Sequence, residues 1–294
     1  MNAALRTLLE RSIDYAGLFP PASLGIEEAL REYHALRRGP EAWIVNRFIA
    51  KTDQVADLGE TEQLPLALVA AAPEGQVRAA INQAIETAIE HRAGSLELRV
   101  PGSLEVAKEA ASTARRHADE LSECQIYLEF PWGDELTDWL SEALSAWEEV
   151  GFKARTGGVT ADAFPTPEQL AIFIHEVASL EAPFKFTAGL HQPIRYLDEG
   201  LGVHRHGFLN VLGASALTFT AELTRAEIEA ILRETDPNAF GPAGSDFRIA
   251  GHNLSPDDAA MLHNLFGGIG SCSVAEPLDA LDQHGWLGPA GVRS

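Results

Sequence analysis

Short runs in which apolar residues alternate with polar ones recur along the chain, separated by longer stretches of helical periodicity. The period-two runs predict strands over residues 12–18, 43–50, 64–71, 96–100, 125–130, 152–156, 184–188 and 247–250. Helical periodicity covers 74–92, 103–121, 134–150 and 167–180. Thr166-Pro167-Glu168 and Ser255-Pro256 followed by two aspartates read as helix starts, with proline in the first turn. Strands alternating with helices call for parallel pairing and crossover connections.

Eight such strands predict an α/β fold, a closed (β/α)8 TIM barrel, spanning residues 1–294 as one domain. An extended insertion is expected after strand seven, at about 189–246. No G-x-G-x-x-G follows the first strand, which argues against an open dinucleotide-binding sheet. The glycine-rich 267–270 segment lacks the Lys-Ser/Thr of a nucleotide-binding loop. Trp132, Trp139 and Trp147 read as packing residues, and 277–287 as a closing amphipathic helix.

Inside a barrel strand, side chains point alternately toward the covering helices and toward the axis. The apolar set must face the helices. In LELRV that leaves Glu97 and Arg99 inward; in QIYLEF, Tyr127 and Glu129; in FKART, Lys153 and Arg155; in FKFTA, Lys185 and Thr187. Arg47 on the second strand joins them. Five cations and two anions would give the lumen a formal +3. Burying such groups costs several kcal/mol each unless they are paired, and Glu97 with Arg99 or Glu129 with Arg155 could be such pairs.

This interior contrasts with the whole chain, which carries 43 Asp and Glu against 22 Lys and Arg, a net charge of −21. Nucleic acid and anionic membranes are therefore poor partners. Only four of the cations are lysines: Lys51, Lys108, Lys153 and Lys185. Two cysteines, Cys124 and Cys272, are too few for a disulfide framework. With no apolar leader and no long apolar run, the expected location is cytoplasmic. A homo-oligomer is compatible with this composition.

Lys153 and Lys185 stand in matching contexts, FKAR and FKFT, 32 residues apart. One βα unit of that length places them on adjacent strands about 4.8 Å apart. Two ammonium groups that close repel, which favours a neutral amine at one of them. A neutral lysine attacks carbonyl carbon and forms a Schiff base. Alternatively, both act only as fixed positive charges for a carboxylate or phosphate.

Lys153-Ala-Arg-Thr-Gly-Gly resembles the sixth-strand K-x-x-T-G segment of deoxyribose-phosphate aldolases, members of the class I aldolase barrels. Lys185-Phe-Thr-Ala-Gly is similar to their seventh-strand K-x-S-G-G segment, and Ile13-Asp14-Tyr15 to the I-D-H/L of their first strand. The resemblance implies a Schiff base at Lys153, with Lys185 lowering its pKa. Glu97 or Glu129 would shuttle protons where the family uses Asp, and Asp14 would belong to the catalytic set. Departures from the pattern are Thr187-Ala188-Gly189 in place of Ser-Gly-Gly, then His191. After the last expected strand, Gly251-His252-Asn253 leads to a helix start bearing Asp257 and Asp258, which would repel a phosphate.

The expected function is a metal-independent, cofactor-free lyase of aldolase type acting on a small anionic carbonyl compound. Arg47, Arg99, Arg155, Thr187, His191, His206, His252 and Asn253 are the expected substrate contacts. A rival reading is a metal-dependent hydrolase or isomerase built on His191, His206, His252 and Glu129, against which the inward cations weigh. A third is a barrel that binds an anion without turnover.

Overall fold

The computed structural model describes residues 1–59 and 64–288. Helix α1 (Ala3–Leu9) leads into β1 (Ile13–Tyr15), and α2 (Ile26–Arg38) into β2 (Val45–Lys51). Next come β3 (Leu66–Ala71), α3 (Val77–Glu90), β4 (Ser95–Arg99), α4 (Leu104–Arg115), β5 (Gln125–Glu129) and α5 (Leu136–Ala146). They are followed by β6 (Gly151–Arg155), α6 (Pro167–Ser179) and β7 (Phe184–Thr187). The chain then leaves the wall. A hairpin of β8 (Tyr196–Asp198) and β9 (Val203–Arg205) precedes α7 (Phe208–Ala221) and α8 (Arg225–Arg233). An antiparallel sheet follows, made of β10 (Phe240–Ala243), β11 (Asp246–Ile249) and β12 (His252–Leu254). Helix α9 (Pro256–Leu262) brings the chain back as β13 (Phe266–Ser271), and α10 (Ala275–Gln283) closes it.

Strands β1 to β7 and β13 are parallel neighbours in a closed ring, with β13 between β7 and β1. The protein is a (β/α)8 TIM barrel. Its outward strand positions, such as Leu66, Leu68, Leu96, Leu98, Leu128, Phe152, Phe184 and Phe186, are fully buried. They pack with Ile81, Ile85, Ala111, Leu140, Leu170 and Ile174 of the helices in one continuous core. Helix α6 starts where expected: Thr166 accepts from the Gln169 N–H, and the Gln169 side chain accepts from the Thr166 N–H.

One strand was expected in the wrong place. Residues 247–250 do alternate, and Phe247 and Ile249 are fully buried, but 247–249 belong to β11, outside the barrel wall, and Ala250 lies in the turn after it. The eighth wall strand is the glycine-rich Phe266–Ser271. The small sheet packs beside α1, where the Ala4 N–H donates to Ser245 O at 3.1 Å and the Asn2 side chain donates to Gly244 O at 2.8 Å. Because α1 runs directly into β1, this is the end of the barrel where strands begin, opposite the mouth. No helix among the described residues is long and apolar enough to cross a membrane.

Candidate active site

Strand alternation delivers the ionisable side chains to the axis, and the register fixes which of them meet. Lys153 lies directly opposite Lys185 on the adjacent strand, and Arg155 opposite Thr187. Glu97 is level with Tyr127, and Arg99 with Glu129. Asp14, on β1, is level with Gly270 of β13.

From the mouth inward these groups form one chain of alternating charge. Arg155 Nε donates to Glu129 Oε1 at 2.9 Å. Glu129 Oε2 lies 2.6 Å from Lys153 Nζ, which in turn donates to Glu97 Oε2 at 2.8 Å. The other oxygen of Glu97 accepts from Lys185 Nζ at 2.5 Å, and Lys185 also donates to Asp14 Oδ2 at 2.6 Å. Asp14 Oδ1 accepts the backbone N–H of Arg47 at 3.0 Å. Asp14 and Glu97 each accept from two donors, whereas Glu129 accepts from Arg155 and meets Lys153 as an ion pair without a hydrogen bond to Oε2. Asp14, Glu97 and Lys185 are completely buried, and Lys153 and Glu129 nearly so.

This arrangement overturns the +3 lumen. Asp14 joins the two glutamates, so within the chain three carboxylates match Lys153, Lys185 and Arg155, while Arg47 meets Asp14 from the floor at 3.9 Å and Arg99 stands exposed at the mouth. It also overturns mutual repulsion of the lysines as the device that frees an amine. Burial alone would lower the pKa of Lys185, but the Asp14 and Glu97 carboxylates outweigh it and hold the ammonium above its ordinary value. Burial would likewise raise Glu97; Lys153 and Lys185 instead hold it down at about 2. Glu129 is lowered in the same way by Lys153 and Arg155. Of the two ion pairs read from the sequence, Glu129 with Arg155 forms and Glu97 with Arg99 does not.

Tyr127 completes the inner layer. Its ring faces Lys185 Nζ at 5.6 Å, and burial pushes its hydroxyl pKa up to about 12. The glycines of the two lysine motifs bring the ends of β6 and β7 together: a Cβ on Gly157 would lie 2.9 Å from Gly189 Cα. Beside them the Thr156 hydroxyl donates to Ala188 O at 2.5 Å.

The expected substrate contacts divide. Arg99 and Arg155 end β4 and β6 at the mouth. Arg99 is exposed, with no ion-pair partner among the described residues, and the Arg155 side chain is 39% exposed. Thr187 is half-buried at the same level as Arg155. His191, just past β7, pairs through Nδ1 with Glu276 of α10 at 2.7 Å, and burial holds its pKa below the ordinary imidazole value. Glu276 carried no sequence signal, since it stands in an ordinary helix start.

Four expected contacts belong elsewhere. Arg47 donates to Gly267 O at 3.3 Å, and its Nε lies 3.0 Å from where a Gly94 Cβ would stand. Both glycines lie where their strands begin, so the guanidinium plugs the barrel floor. His206 is fully buried against Pro165 O at 2.8 Å, and burial drives its pKa down to about 4. His252 and Asn253 lie on β12, in the small sheet at the strand-start end. Helix α9 follows directly, and Asp258 serves as its capping-box partner to Ser255. Its aspartates therefore carry no information about a phosphate at the mouth. The same separation disperses the metal reading, since His252 lies in the small sheet and His206 is engaged with Pro165 O. Among the described residues no group of three or more His, Cys, Asp or Glu side chains is placed to hold a metal ion. Trp132, read as packing, also donates its indole N–H to Arg155 O at 2.9 Å and so fixes the end of β6.

Comparison with known proteins adds little to this geometry. No family model matches the sequence, and no curated protein does. Among solved structures, the barrel is similar to that of a protein proposed to be a phosphonomutase from Burkholderia cenocepacia J2315. That likeness has TM-score 0.41 and 11% identity, over 65% of this chain and 85% of that one. It is also similar to active domain 2 of a thermostable chitinase from Pyrococcus furiosus, solved as catalytic-site mutants complexed with chito-oligosaccharides. There the TM-score is 0.39 and the identity 11%, over 62% and 73% of the two chains. At these levels the likeness carries no argument beyond the barrel that the strand pairing already defines.

Proposed function

We propose that the protein is a lyase of class I aldolase type, which forms an imine between Lys153 and a small anionic carbonyl compound. The observation that carries this reading is the position of Lys153 Nζ, the outer of two facing amines, held between Glu97 and Glu129 at the mouth side of a buried charge chain. To attack, Lys153 must lose a proton, and the lowered Glu129 is a poor acceptor while Arg155 holds it. A substrate anion bound by Arg155 and Arg99 loosens that hold. The Glu129 pKa then rises, the proton moves from Nζ to Oε2, and the free amine adds to the carbonyl carbon. Glu129 returns that proton to the adduct's hydroxyl, which leaves as water, and the resulting iminium accepts the electron pair of the breaking carbon–carbon bond. Lys185, held charged by Asp14 and Glu97, is a fixed positive charge that keeps Glu97 ionised beside Lys153.

The test is reduction with borohydride in the presence of a panel of aldehydes and 2-oxo acids, followed by peptide mass spectrometry. An adduct on Lys153, lost in Lys153→Met, is the expected result. A panel that leaves Lys153 unmodified rejects the imine. Saturable binding of the same acids without an adduct would then favour an anion-binding barrel without turnover, which the full pairing of both lysines also suits.

A further inference from the structure

The lumen is two-sided. Strands β4 to β7, with Asp14 of β1, carry the charge chain; β2 and β3 and the segment after β1 present an apolar wall beside it. Ala16, Ile49 and Ala67 form a buried apolar cluster separate from the main core, with Phe19 and Val69 packed against it. Register places this cluster inside the barrel: Ile49 is level with Ala67, and Val69 with Glu97, whose side chain points to the axis. Val69 and Phe19 are only half-buried, at the mouth end of β3 and in the segment after β1. The two walls meet at Gly270. A Cβ there would lie 2.7 Å from Thr187 Oγ1 on the polar side and 3.2 Å from Ile49 Cδ1 on the apolar side.

We infer that Ile49, Val69 and Phe19 form a subsite for a hydrocarbon portion of the substrate, so that the protein selects aliphatic oxo compounds over polyhydroxylated, sugar-like ones. A hydroxyl placed against these side chains would give up its water with no partner in exchange, whereas a methylene gains by leaving water. The side chains of this wall bear no hydrogen-bonding group, so discrimination follows from desolvation alone. This rests on the lyase reading only for the carbonyl that anchors the other end of the substrate.

The experiment is calorimetric titration of the wild-type protein with straight-chain 2-oxo acids of increasing length and with their chain-hydroxylated counterparts, alongside borohydride trapping of each. Affinity is expected to rise about fourfold per added methylene until the wall is covered, and to fall when a hydroxyl replaces a chain hydrogen. Val69→Thr, nearly isosteric, should cut the preference for the aliphatic member about tenfold, and Ile49→Thr provides the same reading from the next strand. Affinities that ignore chain length, that favour the hydroxylated acids, or that are undetectable throughout would overturn the subsite. Graded binding without any Lys153 adduct keeps the subsite and rejects the lyase. Adducts that form equally on both series keep the lyase and reject the subsite.

Discussion

Glu97 is the residue on which the interior turns, because among the described residues it is the carboxylate that pairs with both lysines. Its two oxygens are shared between Lys153 and Lys185, and all three groups lie out of reach of water. Glu97→Gln keeps the shape but leaves two buried ammonium groups each short of a carboxylate. Removing one partner of a buried ion pair costs about 3–5 kcal/mol, measurable as a lower denaturant midpoint at neutral pH. The same residue sets an acid limb. Its pKa falls from an ordinary 4.5 in the unfolded chain to about 2 in the fold. The stabilisation is complete above the unfolded value and disappears as pH drops from there through the folded value. At 1.36 kcal/mol per unit it amounts to about 3 kcal/mol. The wild type should lose stability steeply across that window while Glu97→Gln follows a flatter line. Parallel pH curves for the two proteins would show that Glu97 does not bridge the lysines.

At the scale of elements, β13 explains both what the sequence concealed and what the barrel needs. Strands β2 to β7 were legible because apolar outward residues alternate with charged or small inward ones, and the same alternation picked out Glu97, Glu129, Lys153 and Lys185. Strand β13 offers no such pattern. Gly267, Gly268 and Gly270 are poor strand formers by propensity, but glycine in a strand marks a close approach or a bulge. Here both apply: the pairing with β7 shifts register between Phe266 and Ile269, and a Cβ on Gly267 would lie 2.1 Å from the Tyr127 hydroxyl. The buried Phe247–Ile249 run imitated a wall strand because any strand with one face on a core alternates, whatever its partner. His252 and Asn253 were misplaced with it, since a histidine after a strand reads as a mouth residue only if that strand belongs to the wall. Gly267→Ala is expected to destabilise by about 1–3 kcal/mol through overpacking. Adding Tyr127→Phe removes the crowded oxygen and should restore part of the loss. A double-mutant cycle in urea reads this directly, and strict additivity would refute the contact.

At the scale of the whole molecule, the electrically balanced charge chain means that the net charge of −21 is carried by the residues outside that chain. Two kinds of electrostatics therefore coexist, and salt separates them. Surface carboxylates repel one another through water, where the screening length shrinks from about 30 Å at 0.01 M salt to about 3 Å at 1 M. Self-repulsion of that kind opposes the compact state, so screening it stabilises the fold. The contacts of 2.5 to 2.8 Å that join Lys153 and Lys185 to Glu97, Glu129 and Asp14 are buried and largely unscreened. Thermal unfolding followed by circular dichroism should therefore move up by roughly 5 °C between 0.01 M and 1 M NaCl. Chloride is preferable to sulfate, which strengthens apolar burial by exclusion and would confuse the two effects. Glu97→Gln should shift by the same increment from its lower starting point, because the lesion lies where salt does not reach. A wild-type melting temperature that falls with NaCl would mean that exposed pairs such as Arg78 with Glu109 outweigh the repulsion, and that the surface is organised rather than merely acidic.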